Sequence, residues 1–146
     1  LFTVARYPDG STNKKVIFGS DSPRFESGFG PNGEIGYAFH NDILITDANN
    51  FDDAYEFSDN PNGNNFLLSA DQRSMYRGNG QMFTVKTPTN FETYSPFKIN
   101  PNGDSDFEIL EILIFKVELT QEQVKCIEYQ YFEPKYSVTP LGPQCE

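Results

Sequence analysis

The sequence predicts an all-β protein: an antiparallel β-sandwich with one short C-terminal α-helix. Three observations carry that expectation. Short runs rich in Phe, Tyr, Val and Ile recur along the chain, punctuated by turn residues. Glycine and proline number 11 and 10, and long helix-forming stretches are almost absent. A single helix is signalled, near the C-terminus, by a capping pattern followed by an apolar stripe.

Taken in order, Leu1 to Tyr7 alternates as a strand, with Phe2 and Val4 on one side and Thr3 and Ala5 on the other. PDGSTNKK reads as a turn and VIFGS (16–20) as the second strand. RFESGFG (24–30) and EIGYAFH (34–40) flank Pro31-Asn32-Gly33, a hairpin signal because Asn-Gly supplies positive φ where strands reverse. DILIT (42–46) is another short strand, and 47–65 is acidic and aperiodic, a long loop. FLLSAD (66–71) resumes the strands, and SMYRGNGQMFTV (74–85) is a hairpin cornered on Gly78-Asn79-Gly80. FETYSPFKI (91–99) leads into a third Pro-Asn-Gly at 101–103. DFEILEILIFKVEL (106–119) is apolar on both faces, as a strand sandwiched within the fold would be, and Glu111 is the carboxylate in it that needs a partner.

The helix then starts at Thr120, with Gln123 three residues on to complete a capping box and Leu119 and Val124 as the staple. Val124, Ile127, Tyr131 and Cys126 are its expected inward side, and Pro134 its expected end. The Pro-Asn-Gly copies at 31–33, 61–63 and 101–103 have unlike flanks, so they are turns rather than an internal repeat.

Composition narrows function. With 146 residues, 14 Phe and 8 Tyr, the chain is one domain with ample apolar bulk. A net charge of −10 repels phosphate backbones and anionic lipid, so no nucleic-acid or membrane partner is expected. No apolar run approaches the roughly 20 residues of a membrane span. The abrupt start at LFTVARY, already a strand and without Met, suggests a piece of something larger. Cys126 and Cys145 form a candidate disulfide that would pin the tail 137–146, adding about 3 kcal/mol in the chain-entropy model; two buried thiols are the alternative.

The C-terminal stretch FEILEILIFKVELTQEQVKCIEYQYFEPKY resembles the closing strand and helix of laminin-G-like, concanavalin A-like domains. Glu111, the run 112–115, Leu119-Thr120-Gln121-Glu122-Gln123, Ile127-Glu128 and Lys135-Tyr136 carry the match. LFTVARY resembles an early strand of that family, and Tyr76, Asn79 and Gly80 resemble its Tyr-x-Asn-Gly hairpin. The resemblance implies a jelly-roll over residues 1–136 that lacks its first strand, and a non-catalytic recognition or adhesion module of an extracellular or cell-surface protein. Its partners would be a glycan or an extracellular protein, met through rim loops. The alternative is a building block of a filament, sheath or capsid-like assembly, completed by strand addition from a neighbouring copy or segment.

Calcium is the cofactor that the acidic turns suggest. Hard cations take carboxylate, Asn and backbone oxygens, and the candidates are Asp47, Asp52, Asp53 and Asp59 in the long loop and Asp104 and Asp106 after the third turn. Ordinary turn capping by Asp and Asn is the competing reading. Sugar stacking would fall to tyrosines, since Trp is absent; Tyr37, Tyr55, Tyr76 and Tyr94 are available, with Arg77 and Asn79 beside the 78–80 corner. Catalysis is not expected. His40 lacks a nucleophile at a recognisable spacing and reads as a structural strand-end residue. Glu108 and Glu111 lie three apart, which on a strand separates them to opposite faces rather than pairing them as glycosidase carboxylates.

Overall fold

A computed structural model describes residues 1–21, 24–40, 43–46, 66–72, 75–78, 81–84 and 96–136. They form ten strands and a C-terminal helical segment: β1 (Phe2–Arg6), β2 (Phe18–Asp21), β3 (Arg24–Phe29), β4 (Ile35–His40), β5 (Ile43–Thr46), β6 (Leu67–Gln72), β7 (Met75–Gly78), β8 (Gln81–Thr84), β9 (Lys98–Ile99), β10 (Glu108–Leu113), then α1 (Gln121–Ile127), a π turn (Glu128–Phe132) and α2 (Glu133–Tyr136). Two five-stranded sheets result, ordered β10-β1-β6-β7-β8 and β5-β4-β3-β2-β9, and every pairing is antiparallel.

Period-two alternation explains the layering. On β1, Phe2 and Val4 join Leu68, Ala70 and Met75 in a core that Val124 and Phe132 of the helical segment cover. Ala5 joins Tyr7, Ile17, Phe18, Phe29 and Leu67 in a second core between the sheets. The first sheet is thus apolar on both faces, because one face meets the other sheet and the other meets the helix.

The helix starts as the sequence predicts. Thr120 Oγ1 accepts from Gln123 N at 3.2 Å, and Gln123 Oε1 accepts from Thr120 N at 2.8 Å. Replacing Thr120 with Ala should destabilise the protein by about 1 kcal/mol, read as a lower denaturant midpoint at unchanged slope.

Its other end differs. Pro134 does not terminate the segment but lies inside α2. The N–H of Glu133 reaches the carbonyl of Glu128, five residues back, so the turn before the proline is widened. Widening eases the clash between a proline ring and the carbonyl four residues earlier. It also rephases the inward face: Val124, Glu128 and Phe132 are buried at intervals of four, whereas Tyr131 is 40% exposed.

The stretch 106–119 is likewise not one doubly buried strand. β10 ends at Leu113, and Ile114 and Val117 beyond it are 66% and 68% exposed. Within β10 the register slips, Val4 facing Glu111 and Ala5 facing Ile109, so Leu110 is an extra residue. That bulge puts Ile109 and Ile112 together against the inter-sheet core and Leu113 against the helix-covered core, regrouping the faces that strict alternation assigns. Glu111 has the partners it needs: Tyr131 Oη donates at 2.6 Å, Tyr136 Oη at 2.7 Å and Lys135 Nζ at 3.0 Å. Glu108 is taken by Arg6, its cross-strand neighbour, at 2.6 Å.

Cys126 is half-buried on α1; Cys145 and the rest of the tail lie outside the described residues.

Candidate functional site

Three chain segments meet at one end of the sandwich: the β1–β2 connection (7–17), the β3–β4 turn (30–34) and the β9–β10 connection (100–107). The two Pro-Asn-Gly copies among the described residues both lie here and are built alike. Gly33 N donates to Gly30 O at 3.3 Å, and Gly103 N donates to Asn100 O at 2.9 Å. In each turn Pro and Asn are the central pair and the glycine that follows takes positive φ, +88° and +73°. The Asn of each copy keeps negative φ, so the turn is not the Asn-Gly corner that the sequence suggests; proline at the first central position selects the ordinary turn with a left-handed glycine after it. The copy at 61–63 lies outside the described residues.

Hydrogen bonds brace the three segments into a single rim. Tyr7 Oη donates to Lys15 O at 2.6 Å and lies 3.4 Å from Gly30 O. Burial, and then the charge of Glu34, push that phenol well above its usual range, so it stays a donor. Asn100 N donates to Ile17 O at 2.6 Å, and Lys15 N donates to the buried Ser105 Oγ at 3.1 Å. Asp106 Oδ2 accepts from Ser11 Oγ at 3.0 Å and Asn13 N at 3.3 Å, while Asp106 N donates to Asn13 O at 2.7 Å. Glu34 accepts from Asn32 N at 2.8 Å and Asn32 Nδ2 at 3.0 Å; these bonds and one from its own backbone outweigh desolvation and hold its carboxyl below the usual range.

Between the β1–β2 and β9–β10 connections lies an open depression of about 520 Å³, lined by Pro8, Asp9, Gly10, Ser11, Ser105, Asp106 and Phe107. Asp9 and Asp106 are exposed, and Phe107 is half-buried with its inner side on the inter-sheet core. The combination supplies carboxylate acceptors above an aromatic and a proline surface.

The sequence candidates distribute as follows. Asp106 is in this depression, and Asp104 is exposed on the same connection. Asp47, Asp52, Asp53, Asp59, Tyr55, Tyr94 and Asn79 lie outside the described residues. Tyr76 and Arg77 are not at a rim. Tyr76 is fully buried, facing the second sheet, and Arg77 is 3% exposed, facing the helix, because both belong to the interior strand β7 rather than to its corner. Neither offers a surface to a ligand. Tyr37 is also buried, its ring parallel to Phe39 at 6.3 Å. Among the described residues no three His, Cys, Asp or Glu side chains are grouped to hold a metal.

The sequence reading misses two buried charge pairs. Arg77 reaches across the helix-facing layer to Glu128, with Nη2–Oε2 at 2.8 Å and Nε–Oε2 at 3.0 Å. Between the sheets, His40 Nε2 on β4 lies 2.9 Å from Asp71 Oδ1 on β6, at ion-pair distance but short of hydrogen-bond alignment. Phe25 stacks on the imidazole at 5.2 Å, and Thr3 and Ser69 pair their hydroxyls nearby on the same sheet face as Asp71, at 2.7 Å. One signal is present in the sequence: Asp71 shares a strand parity with Leu67 and Ser69, which makes it a carboxylate in an inward position.

No protein-family model matches this sequence, and neither a curated protein nor a solved structure matches it.

Proposed function

We propose that the protein is a non-catalytic recognition module, a jelly-roll of the laminin-G-like, concanavalin A-like kind, that binds glycan at the depression between the β1–β2 and β9–β10 connections. The observation that carries this reading is the pairing there of open carboxylates, Asp9 and Asp106, with the apolar surface of Phe107 and Pro8 on a rim braced by backbone hydrogen bonds. Sugars are recognised by that pairing, hydroxyls donating to fixed acceptors while a C–H face packs on an apolar ring. A carboxylate-rich, strongly anionic protein would favour neutral or cationic glycans over sulfated ones. An extracellular or cell-surface setting accords with that ligand class.

The test is a glycan array read with and without EDTA. Binding to a defined glycan class is expected, weakened about tenfold by Asp9→Asn, the loss of one hydrogen bond to a charged acceptor. Asp9 is the better probe than Asp106, whose carboxylate also ties the loops together. Loss of binding in EDTA would show that a divalent cation takes part in binding; no binding under either condition would refute the glycan reading.

One observation favours a second reading, assembly by strand addition. Among the described residues β10 is an outer strand with β1 as its partner; beyond the bulge at Leu110 its register is regular from Glu111 to Leu113, and the apolar Leu110, Ile114, Phe115 and Val117 along and beyond it are all at least 40% exposed. Sedimentation showing concentration-dependent association that Ile114→Lys abolishes would support it; a monomer at all concentrations would exclude it.

A further inference from the structure

We propose that the His40–Asp71 pair is a protonation-dependent latch between the two sheets, holding β4 to β6 while the imidazole is charged and releasing the hold when it is neutral. The pair is buried: the two side chains are 2% and 0% exposed. Each also has an atom, His40 Nδ1 and Asp71 Oδ2, without a hydrogen-bond partner among the described residues. Neutral His40 would therefore leave Asp71 as a buried carboxylate with no charged side chain at its oxygens among the described residues, only the Leu1 ammonium on its backbone carbonyl, a costly arrangement. Charged His40 supplies a countercharge across the sheet interface.

Among the described residues one other cation is close: the Leu1 ammonium, which donates to the backbone carbonyl of Asp71 at 2.9 Å and feels its charge, while burial lowers its own pKa. From β6 the imidazole meets Asp71, and the remaining inward groups there are the Ser69 hydroxyl and Leu67. From β7, Tyr76 shares the inward face, and burial, followed by Asp71's charge, holds its phenol protonated far above the usual range. Arg77, next in sequence, points the other way to Glu128. From β3, Phe25 stacks on His40, and Glu26 is paired in register with Phe39 instead. β5 places Ile43 opposite His40. Burial alone would lower the imidazole, but Asp71's charge and close contact outweigh it, so His40 protonates above its ordinary value.

The sign follows. A histidine raised in the folded state contributes fully below its unfolded value, about 6.5, and the contribution fades as pH rises through the folded value. The latch is closed under mildly acidic conditions and opens toward alkaline pH. It does not depend on the rim reading, and glycan binding plays no part in its test.

The experiment is an imidazole NMR titration of the whole chain, in which His40, the only histidine, gives the one signal. A midpoint above about 6.5 is expected in the wild type, moving down in Asp71→Asn. Thermal melts across the same pH range should show the wild type losing Tm relative to His40→Gln as pH rises. A wild-type midpoint at or below about 6.5 overturns the proposal even if neither variant folds, and so do parallel Tm profiles for the wild type and His40→Gln.

Discussion

Truncating Glu128 to Ala is expected to destabilise the protein by about 3–5 kcal/mol, and Arg77→Ala by a similar amount, whereas replacing both at once with Leu and Met should restore most of the loss. The pair is 3% and 0% exposed and bonded through two guanidinium nitrogens. Removing one partner strands the other charge between a sheet and a helix. Burial lifts the Glu128 carboxyl above its usual range, and Arg77 only partly draws it back, so the ion carries a net desolvation cost even when paired. That is why an apolar pair of similar volume is expected to serve nearly as well. Denaturant unfolding of the two single variants and the double variant closes the cycle. Additive losses in the double variant would mean that the two side chains act separately.

Phe132→Ala should be of the same size, about 3–5 kcal/mol, through loss of a large core side chain and the cavity left behind. Phe132 is fully buried, stacked on Phe2 at 5.6 Å and on Tyr136 at 6.3 Å, with Tyr131 edge-on at 5.1 Å. It is the side chain through which the π turn closes the outer core over β1. In a chain of this length the melting temperature should fall by roughly 10 °C. A change of less than about 1 kcal/mol would show that the helical segment is not part of the cooperative unit that the sheets form.

These two residues mark where the sequence stops being legible. The start of the helix can be read directly, because a capping box is a local arrangement between Thr120 and Gln123. The inward face beyond it cannot, because the wider turn at 128–132 changes the residue spacing, so Phe132 points inward where Tyr131 is expected. Strands β1 to β8 are legible as apolar runs between turns. β10 is legible as a strand, but its faces are not, since one extra residue at Leu110 reverses the parity on one side of it. The site divides in the same way. Asp106 can be picked out beside a turn, but its union with Asp9 and Pro8 depends on which loops share an end of the sandwich. His40 can be picked out as a strand-end residue, but Asp71, 31 positions later, becomes its partner only once β4 is laid over β6. Contacts between sheets carry no local pattern.

The bulge at Leu110 also has a consequence for the protein's behaviour in crowded solution. Outer strands that are straight and apolar template the polymerisation of their neighbours, and an inserted residue spoils the straight ladder that such growth requires. Here the irregularity falls within a strand flanked, among the described residues, by the exposed apolar Ile114, Phe115 and Val117. A chain with Leu110 deleted would present a straighter, more regular border, and its cost would be felt in fibre formation and precipitation at high concentration more than in folding of the single molecule.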